Sequence, residues 1–402
     1  MAPKNSGIDY SSFVDYAALD PVKRMALELF GPTLAYPEQR LGIKIVPQTL
    51  GATAIAFDTR KMKNPNNILV GNIEGLGTKN KIPENMYKQV IFDKTKIANE
   101  FEIRDAFRKI GMDTSAMSVN DANGIGADVF AYLDMISVGN SSYLSDNEKI
   151  RCLLQGYRDA ADENGFSIPQ GETPELKGIV EADTVDLAGA SFGVVDADRL
   201  ITGYNIKEGD IIFTLESSGI HANGVSKARK ICEMTKDGYF TETEDGSTIG
   251  EKLLNPTIIY QRSVREMQAR EIELHFLQPI TGHAWEKIAR TKLPYDYEIH
   301  HVPNSADTEA MGVFNELVML GKAYNKTVSP SERFNLTNRE NYYVWNWGAG
   351  LVAIAPKESR EDIIQSGEKY DTKVIELGIV KKGERRVIMP FKECGQKVVY
   401  KP

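Results

Sequence analysis

The stretch Val119-Asn120-Asp121-Ala122-Asn123-Gly124-Ile125-Gly126-Ala127-Asp128-Val129-Phe130-Ala131-Tyr132-Leu133-Asp134 decides how the chain is read. An Asn-Asp pair set among small and apolar residues crosses a glycine-punctuated turn and runs into the strand-like Val129-Phe130-Ala131-Tyr132-Leu133. An ionised carboxylate in apolar surroundings is costly unless it is paired or meets a cation, and the small residues around Asp121 leave room for a ligand. A local alternative stands beside this: Asp121 caps a helix and Asn123-Gly124 makes a turn.

Outward from this stretch, the 402 residues predict two domains, since single cores stop growing well before that length. The expected division is an N-terminal arm and helix over residues 1–40, a first domain over 41–204 and a second over 205–402. Hydrophobic residues at 42% and charged residues at 26% are ordinary for a globular chain. The net charge of −8 argues against an electrostatic nucleic-acid binder. Three scattered cysteines, Cys152, Cys232 and Cys394, form neither a CxxC pair nor an even framework and read as reduced thiols. No apolar run approaches the ~20 residues that span a bilayer, and the first residues lack a signal core, so a cytoplasmic location without a membrane partner is expected.

Before the Asn-Asp stretch, a helical pattern from Pro21 to Phe30 is ended by Gly31-Pro32. Strands are expected at 52–57 and 67–70. The second delivers Gly71-Asn72-Ile73-Glu74-Gly75-Leu76-Gly77-Thr78-Lys79, an acid followed by two glycines, a hydroxyl and a lysine. That chemistry fits magnesium and phosphate: a carboxylate for the metal, Gly75 and Gly77 for close backbone approach, Thr78 and Lys79 toward the anion. It is not a Walker A loop, and a hairpin turn with a solvated lysine is the competing reading. Helices are expected over 97–110, from 114 through the Asn-Asp pair, and over 145–164 with Ser145 as cap and Gly165 as stop.

After it, Glu172 lies between Gly171 and Thr173 at an expected strand end and is a candidate site residue, and Asp186, which either faces the cofactor site or merely begins its strand, opens a run of small apolar residues suited to packing on another backbone. A fresh strand at 211–215 ends in Glu216-Ser217-Ser218-Gly219-Ile220-His221-Ala222-Asn223-Gly224, followed by a basic helix. Strand, Ser/Gly turn and helix start make a phosphate cradle, because free amides and the positive end of the helix dipole point at one spot. His221 is a candidate hydrogen-bond donor there. Further on come a helix over 251–267, the turn Thr281-Gly282-His283 into a helix, a helix over 306–324, a loop over 325–341, a buried strand within 345–355, a helix over 359–366 and strands at 373–380 and 386–389.

Taken in order, the motifs resemble the aminoimidazole ribonucleotide synthetase family, also called phosphoribosylformylglycinamidine cyclo-ligase. The resembling pieces are Glu74-Gly75-Leu76-Gly77-Thr78-Lys79, Val119-Asn120-Asp121, Gln170-Gly171-Glu172-Thr173-Pro174-Glu175, Asp186-Leu187-Ala188-Gly189, Glu208-Gly209-Asp210, Ser217-Ser218-Gly219-Ile220-His221-Ala222-Asn223-Gly224, Leu254-Asn255-Pro256-Thr257, Ile280-Thr281-Gly282 and Asn346-Trp347-Gly348-Ala349-Gly350. The resemblance implies an α+β subunit of two domains, with N-terminal sheets of two subunits pairing in a homodimer barrel and a C-terminal α/β sheet domain. It also implies ATP and Mg2+ as cofactors, a small ribonucleotide substrate and ATP-dependent closure of an imidazole ring. Carried over by position, Glu74 and Asp121 face metal and ATP, Asn120 and Glu172 support them, and Lys79 meets phosphate. Ser217, Ser218, Gly219, His221, Asn223 and Gly224 hold the substrate's phosphate or ribose end.

Three departures accompany the resemblance. The family's first acid is normally Asp where this chain has Glu74. A glycine-rich loop is usual before that strand, yet residues 41–56 contain only Gly42 and Gly51. The family's His-Leu-Thr followed by three glycines is here Pro279-Ile280-Thr281-Gly282-His283-Ala284, so the usual histidine position is Pro279, and His283 is either its replacement or a cap of the following helix. Related kinases place a further metal-binding Asp before this turn, where this chain has Gln278-Pro279. A small-molecule kinase of the superfamily and a silent nucleotide-binding dimer are the alternatives.

Overall fold

The computed structural model describes residues 16–50, 52–92 and 100–402. The strands are β1 (Lys44–Ile45), β2 (Phe57–Asp58), β3 (Asn67–Gly75), β4 (Asp128–Val138), β5 (Ser167–Glu172), β6 (Val185–Asp196), β7 (Ile211–Glu216), β8 (Phe276–Pro279), β9 (Tyr295–Ile299), β10 (Ala349–Ala355), β11 (Val374–Lys382), β12 (Val387–Glu393) and β13 (Gln396–Tyr400). They form a two-stranded ribbon β1-β2, a sheet of order β3-β6-β4-β5 and a sheet of order β13-β12-β9-β11-β7-β10-β8.

The first sheet is half covered, and its sequence shows why. In β6, Val185, Leu187, Gly189 and Ser191 are buried while Asp186, Ala188 and Ala190 turn to the other face, the period of two that a strand imposes. The buried face carries the helices Glu100–Asn123 and Asn147–Asn164. Ser118 Oγ donates to Ser191 Oγ at 2.7 Å, tying the first helix to the sheet. The two helices cross closely at glycines: a Cβ on Gly111 would stand 2.2 Å from the Leu153 carbonyl oxygen, and one on Gly156 1.8 Å from that of Arg108. The opposite face leaves Leu69, Ile73 and Met135 exposed, Ile73 to 71%.

The second sheet is covered on both faces, which is why its strands read as unbroken apolar runs. In β7, Ile211, Phe213 and Leu215 join one cluster with Val264, Met267 and Ile363, while Ile212 joins the other with Phe314 and Trp285. Residues 255–265 link the two halves. Gln261 Nε2 donates to the Val129 and Asn164 carbonyls, Gln261 Oε1 accepts from the Val129 amide, and Arg265 pairs with Asp128 at 2.9 Å. No helix among the described residues is long and apolar enough to cross a membrane.

Several elements differ from the sequence reading. The two helices expected over 97–110 and 114 onward are one helix, Glu100–Asn123, and residues 97–99 lie outside the described residues. Gly111 marks helix packing rather than a break. The expected strand at 52–57 shrinks to β2. Asp146, not Ser145, caps the helix Asn147–Asn164 by accepting from the Lys149 amide. The helix expected over 251–267 is split into Ile249–Leu253 and Gln261–Ala269, as Pro256 demands. The loop expected over 325–341 contains the start of a helix, Asn338–Val344, and β13 was absent from the expectation.

Candidate functional site

Two carboxylates meet where the halves of the chain face one another. Glu74 is the last residue of β3 to point toward the helices before Gly75, and Asp121 stands in the last turn of the helix Glu100–Asn123. The two carboxyl groups are close enough for each to act on the other's charge. Burial, and then the neighbouring Asp121, raise Glu74 above the ordinary carboxyl range; burial raises Asp121 against the opposing charges of Lys287 and Arg290. Lys287 lies in the short 3-10 helix Ala284–Ala289, where its ammonium donates to Thr281 Oγ1. A cleft of about 420 Å3 opens beside Asp121, lined by Gly124, Tyr204, Gln278, Pro279 and Arg290 among others.

Among the described residues no cluster of three or more His, Cys, Asp or Glu side chains gathers at one point. A metal wholly caged by protein therefore does not fit. Magnesium carried by a nucleotide does, because it is held by one or two carboxylates plus phosphate oxygens and keeps several waters. Glu74 and Asp121, neighbours that act on one another's charge, supply the two hard oxygen donors such a cation needs.

The Ser217–Gly224 turn lies along the same helix, one turn earlier. Asn223 Nδ2 points at Met117 Sδ, 4.0 Å away. Gly224, at φ 68°, stands directly before the helix Val225–Glu233, and a Cβ there would meet Trp345 at 2.4 Å. Thr78 Oγ1 is 3.1 Å from Ser226 Oγ, so the glycine loop after β3 and this helix start close on one another. Ser217 Oγ donates to Asn346 Oδ1 at 3.1 Å, and Asn346 Nδ2 donates to the Gly219 carbonyl at 3.0 Å, fixing the turn from within.

Several expected site residues have other geometries. Lys79 is fully buried, 2.8 Å from Asp113, and donates to the Asn255 carbonyl at 2.9 Å. Asn120 donates to the Ile258 carbonyl at 2.8 Å and accepts from the Tyr260 amide at 3.0 Å, so its amide group fastens the second half of the chain. His221 Nε2 accepts from the Ser218 amide at 3.2 Å; burial and the charge of Lys79 push its pKa down to about 3, leaving a neutral ring that orders the turn. Glu172 and Asp186 do not join Glu74 and Asp121. Strand parity explains this: Glu74 pairs with Gly189 on the helix-facing side, whereas Asp186 and Glu172 lie on the outward face, opposite Ser137 and Met135. His283 is exposed at φ 65°, edge-on to Tyr343 at 5.5 Å. Gly75 and Gly77 border the carboxylate pair, Gly77 at φ 75°.

The residues that the sequence reading overlooked are Lys287 and Arg290. Their spacing of three after the Thr281-Gly282 turn puts both on one side of a tight helix, and that was the available signal.

Residues 86–195 match the N-terminal domain of AIR synthase related proteins, and residues 207–389 match the C-terminal domain of the same family. The chain belongs to the AIR synthase related family. Its relatives include a phosphoribosylformylglycinamidine cyclo-ligase of Oceanobacillus iheyensis, 30% identical over 337 residues that cover 83% of this chain and 87% of that one. The protein of the same name from Methanocaldococcus jannaschii is 32% identical over 302 residues, covering 75% and 77%. Among solved structures, hydrogenase maturation protein HypE in complex with ATP superposes with a TM-score of 0.56 at 16% identity, covering 95% of this chain and 93% of that one. Thiamine-monophosphate kinase from Stenotrophomonas maltophilia gives 0.56 at 15%, covering 95% and 97%. At that identity these two share the fold.

Proposed function

We propose that this chain is a phosphoribosylformylglycinamidine cyclo-ligase, closing the imidazole ring of formylglycinamidine ribonucleotide at the expense of ATP in purine biosynthesis. The observation that carries the reading is the Glu74–Asp121 carboxyl pair, faced by Lys287 and Arg290 and set one helical turn from the Ser217–Gly224 cradle. The names of the relatives over most of the chain support it.

In that reaction the formyl amide oxygen bonds to the γ-phosphorus as the bond to ADP breaks. An amidine nitrogen then attacks the activated carbon, a proton is lost and phosphate leaves. Magnesium, when bound with the nucleotide, neutralises charge on the transferred phosphoryl group. Glu74 and Asp121 would hold it as carboxylates. Lys287 and Arg290 place positive charge beside the same group. The Ser217–Gly224 turn orients the ribonucleotide's phosphate end with backbone amides at a helix start. His221, neutral and buried, keeps Ser218 in register. Proximity carries much of such a reaction, and the closed contacts between the two halves serve it.

A homodimer belongs to the same reading. It is supported by the outward face of the first sheet, where Leu69, Ile73 and Met135 are exposed beside the small Ala188 and Ala190 of β6. The chain is read as a cytoplasmic enzyme. Incubation with formylglycinamidine ribonucleotide, ATP and magnesium tests the proposal: aminoimidazole ribonucleotide, ADP and phosphate should appear in equal amounts. ADP with a phosphorylated compound but no imidazole would instead indicate a kinase, and nucleotide binding with neither product a silent dimer.

A further inference from the structure

The helices that leave the two halves of the site open a second cleft toward their C-terminal ends. Lys81–Phe92 follows the loop after Glu74, and Val225–Glu233 follows the Ser217–Gly224 turn. Thr78 before the one and Ser226 within the other bring their starts together. Further along lies a polar cleft of about 400 Å3, with Asn85, Lys88 and Gln89 on one wall and Glu233, Lys236 and Asp237 on the other. None of these residues belongs to the site around Glu74 and Asp121.

The walls are built from fitted parts. Gly238, at φ 58°, lets the turn after the second helix lie against the Gln89 carboxamide: a Cβ there would stand 3.4 Å from Gln89 Nε2. Yet Gln89 Oε1 is buried and has no hydrogen-bond partner among the described residues. Buried acceptors are normally paired, so one left open marks a place for a donor. On the other wall, Glu233 Oε1 accepts from Tyr239 Oη at 3.2 Å and from Arg229 Nη2 at 3.3 Å, which fixes its carboxylate. Lys236 is exposed, and Lys88 is held only by a surface pair with Asp183, a contact of little strength.

Two cations, two carboxylates and two carboxamides line this cleft, with no aliphatic side chain among them. Such walls suit a ligand that is polar along its whole length and carries both signs of charge. Lysines meet a carboxylate, acids meet an ammonium, and a carboxamide offers a donor and an acceptor to a group of its own kind. We propose that the cleft is a binding site for a free α-amino acid with a carboxamide side chain. Its position on the seam between the two halves of the chain is one where small-molecule sites commonly lie.

Calorimetric titration of the full chain with L-glutamine, in wild type, Gln89→Leu and Lys236→Glu, tests this beside a thermal melt of each protein. Wild type should bind, and each variant should bind roughly tenfold more weakly, the factor for one hydrogen bond lost to a charged or strongly polar partner. Gln89→Leu removes an acceptor that serves no contact within the described fold, so its melt should match wild type. Lys236 is exposed, so Lys236→Glu keeps the test decisive if Gln89→Leu unfolds. L-norvaline keeps the zwitterion without the carboxamide and should also bind roughly tenfold more weakly to wild type. A wild type that does not bind L-glutamine overturns the proposal, as does binding that a folded Lys236→Glu leaves unchanged. Equal affinity for L-norvaline and L-glutamine overturns the carboxamide reading of Asn85 and Gln89.

Discussion

Lys79 Nζ stands 2.8 Å from Asp113 Oδ2 with neither side chain exposed, and the Asp113 carboxylate also accepts from the Thr257 amide at 2.8 Å. The pair joins the loop after β3 to the helix Glu100–Asn123 and to the extended segment Asn255-Pro256-Thr257. Removing one member of a buried ion pair leaves an uncompensated charge, at ~3–5 kcal/mol. Lys79→Met should therefore destabilise the protein by that order in urea unfolding. At temperatures where the variant remains folded, its affinity for ATP–magnesium should match that of wild type. A stable Lys79→Met with lost nucleotide binding would restore the phosphate role suggested by the sequence.

Glu74→Gln and Asp121→Asn remove charge with little change of shape. Each should weaken ATP–magnesium binding by ~1–3 kcal/mol, the scale for losing a charged hydrogen-bonding partner. Because both carboxyls titrate above their ordinary range, and because the metal needs them deprotonated, wild-type affinity should rise with pH across the acid range. Either variant should flatten that rise. Binding titrations at a series of pH values decide the matter, and unchanged affinity in both variants removes the pair from the site.

The part of this site that could be read from the chain was the part with local spelling. Glu74 before two glycines and Asp121 after an apolar helix announce themselves, because strand ends and helix ends are where ligands gather. Asn120 looks identical in sequence to a site residue. Its partner, the Tyr260 amide, lies 140 residues away, and nothing nearby records the contact. Lys79 is similar, since Asp113 and Asn255 are distant in sequence. The central strands of the second sheet were legible because burial on both faces leaves an unbroken apolar run. The edge strand β13, Gln396-Lys397-Val398-Val399-Tyr400, has too short a pattern to stand out.

Asp134 gives a pH signature independent of ligands. It is buried on β4, its Oδ1 has no hydrogen-bond partner among the described residues, and burial with the charge of Glu172 pushes its pKa up to about 7. A carboxyl whose folded pKa exceeds its unfolded value holds a proton in the native state that the unfolded chain has released. Its contribution to stability is therefore intact below about pH 4 and is lost as pH rises toward about 7. Asp134→Asn, permanently neutral, should escape this loss. Relative to wild type it should gain ~1–4 kcal/mol between pH 4 and pH 8 in denaturant unfolding. Parallel stability curves for the two proteins would show that Asp134 does not titrate in this window.

Asn223 separates binding from folding in the Ser217–Gly224 turn. Its side chain is half-buried and, among the described residues, makes only a long hydrogen-bonding contact, to Met117 Sδ, so Asn223→Leu should change the melting temperature little. If the turn holds the ribonucleotide's phosphate end, the same variant should raise KM for that substrate by about tenfold, one lost hydrogen bond to a charged group. Steady-state kinetics beside a thermal melt distinguishes the outcomes. A variant that simply unfolds assigns Asn223 to structure.

The outward face of the first sheet makes the last prediction. Ile73 is 71% exposed and Leu69 66%, on the edge strand β3, beside the small residues Ala188 and Ala190 of β6. Large apolar side chains left bare on the face of a sheet mark an interaction surface, and small residues between them let a second sheet approach. A closed pairing of two such faces is isologous, so one substitution enters the interface twice. Ile73→Glu should therefore shift the protein from dimer to monomer in sedimentation velocity while leaving its far-UV circular dichroism unchanged. Glu74 is the next residue on the same strand, so loss of the dimer should also weaken ATP–magnesium binding. An Ile73→Glu protein that sediments as wild type does would place the interface elsewhere.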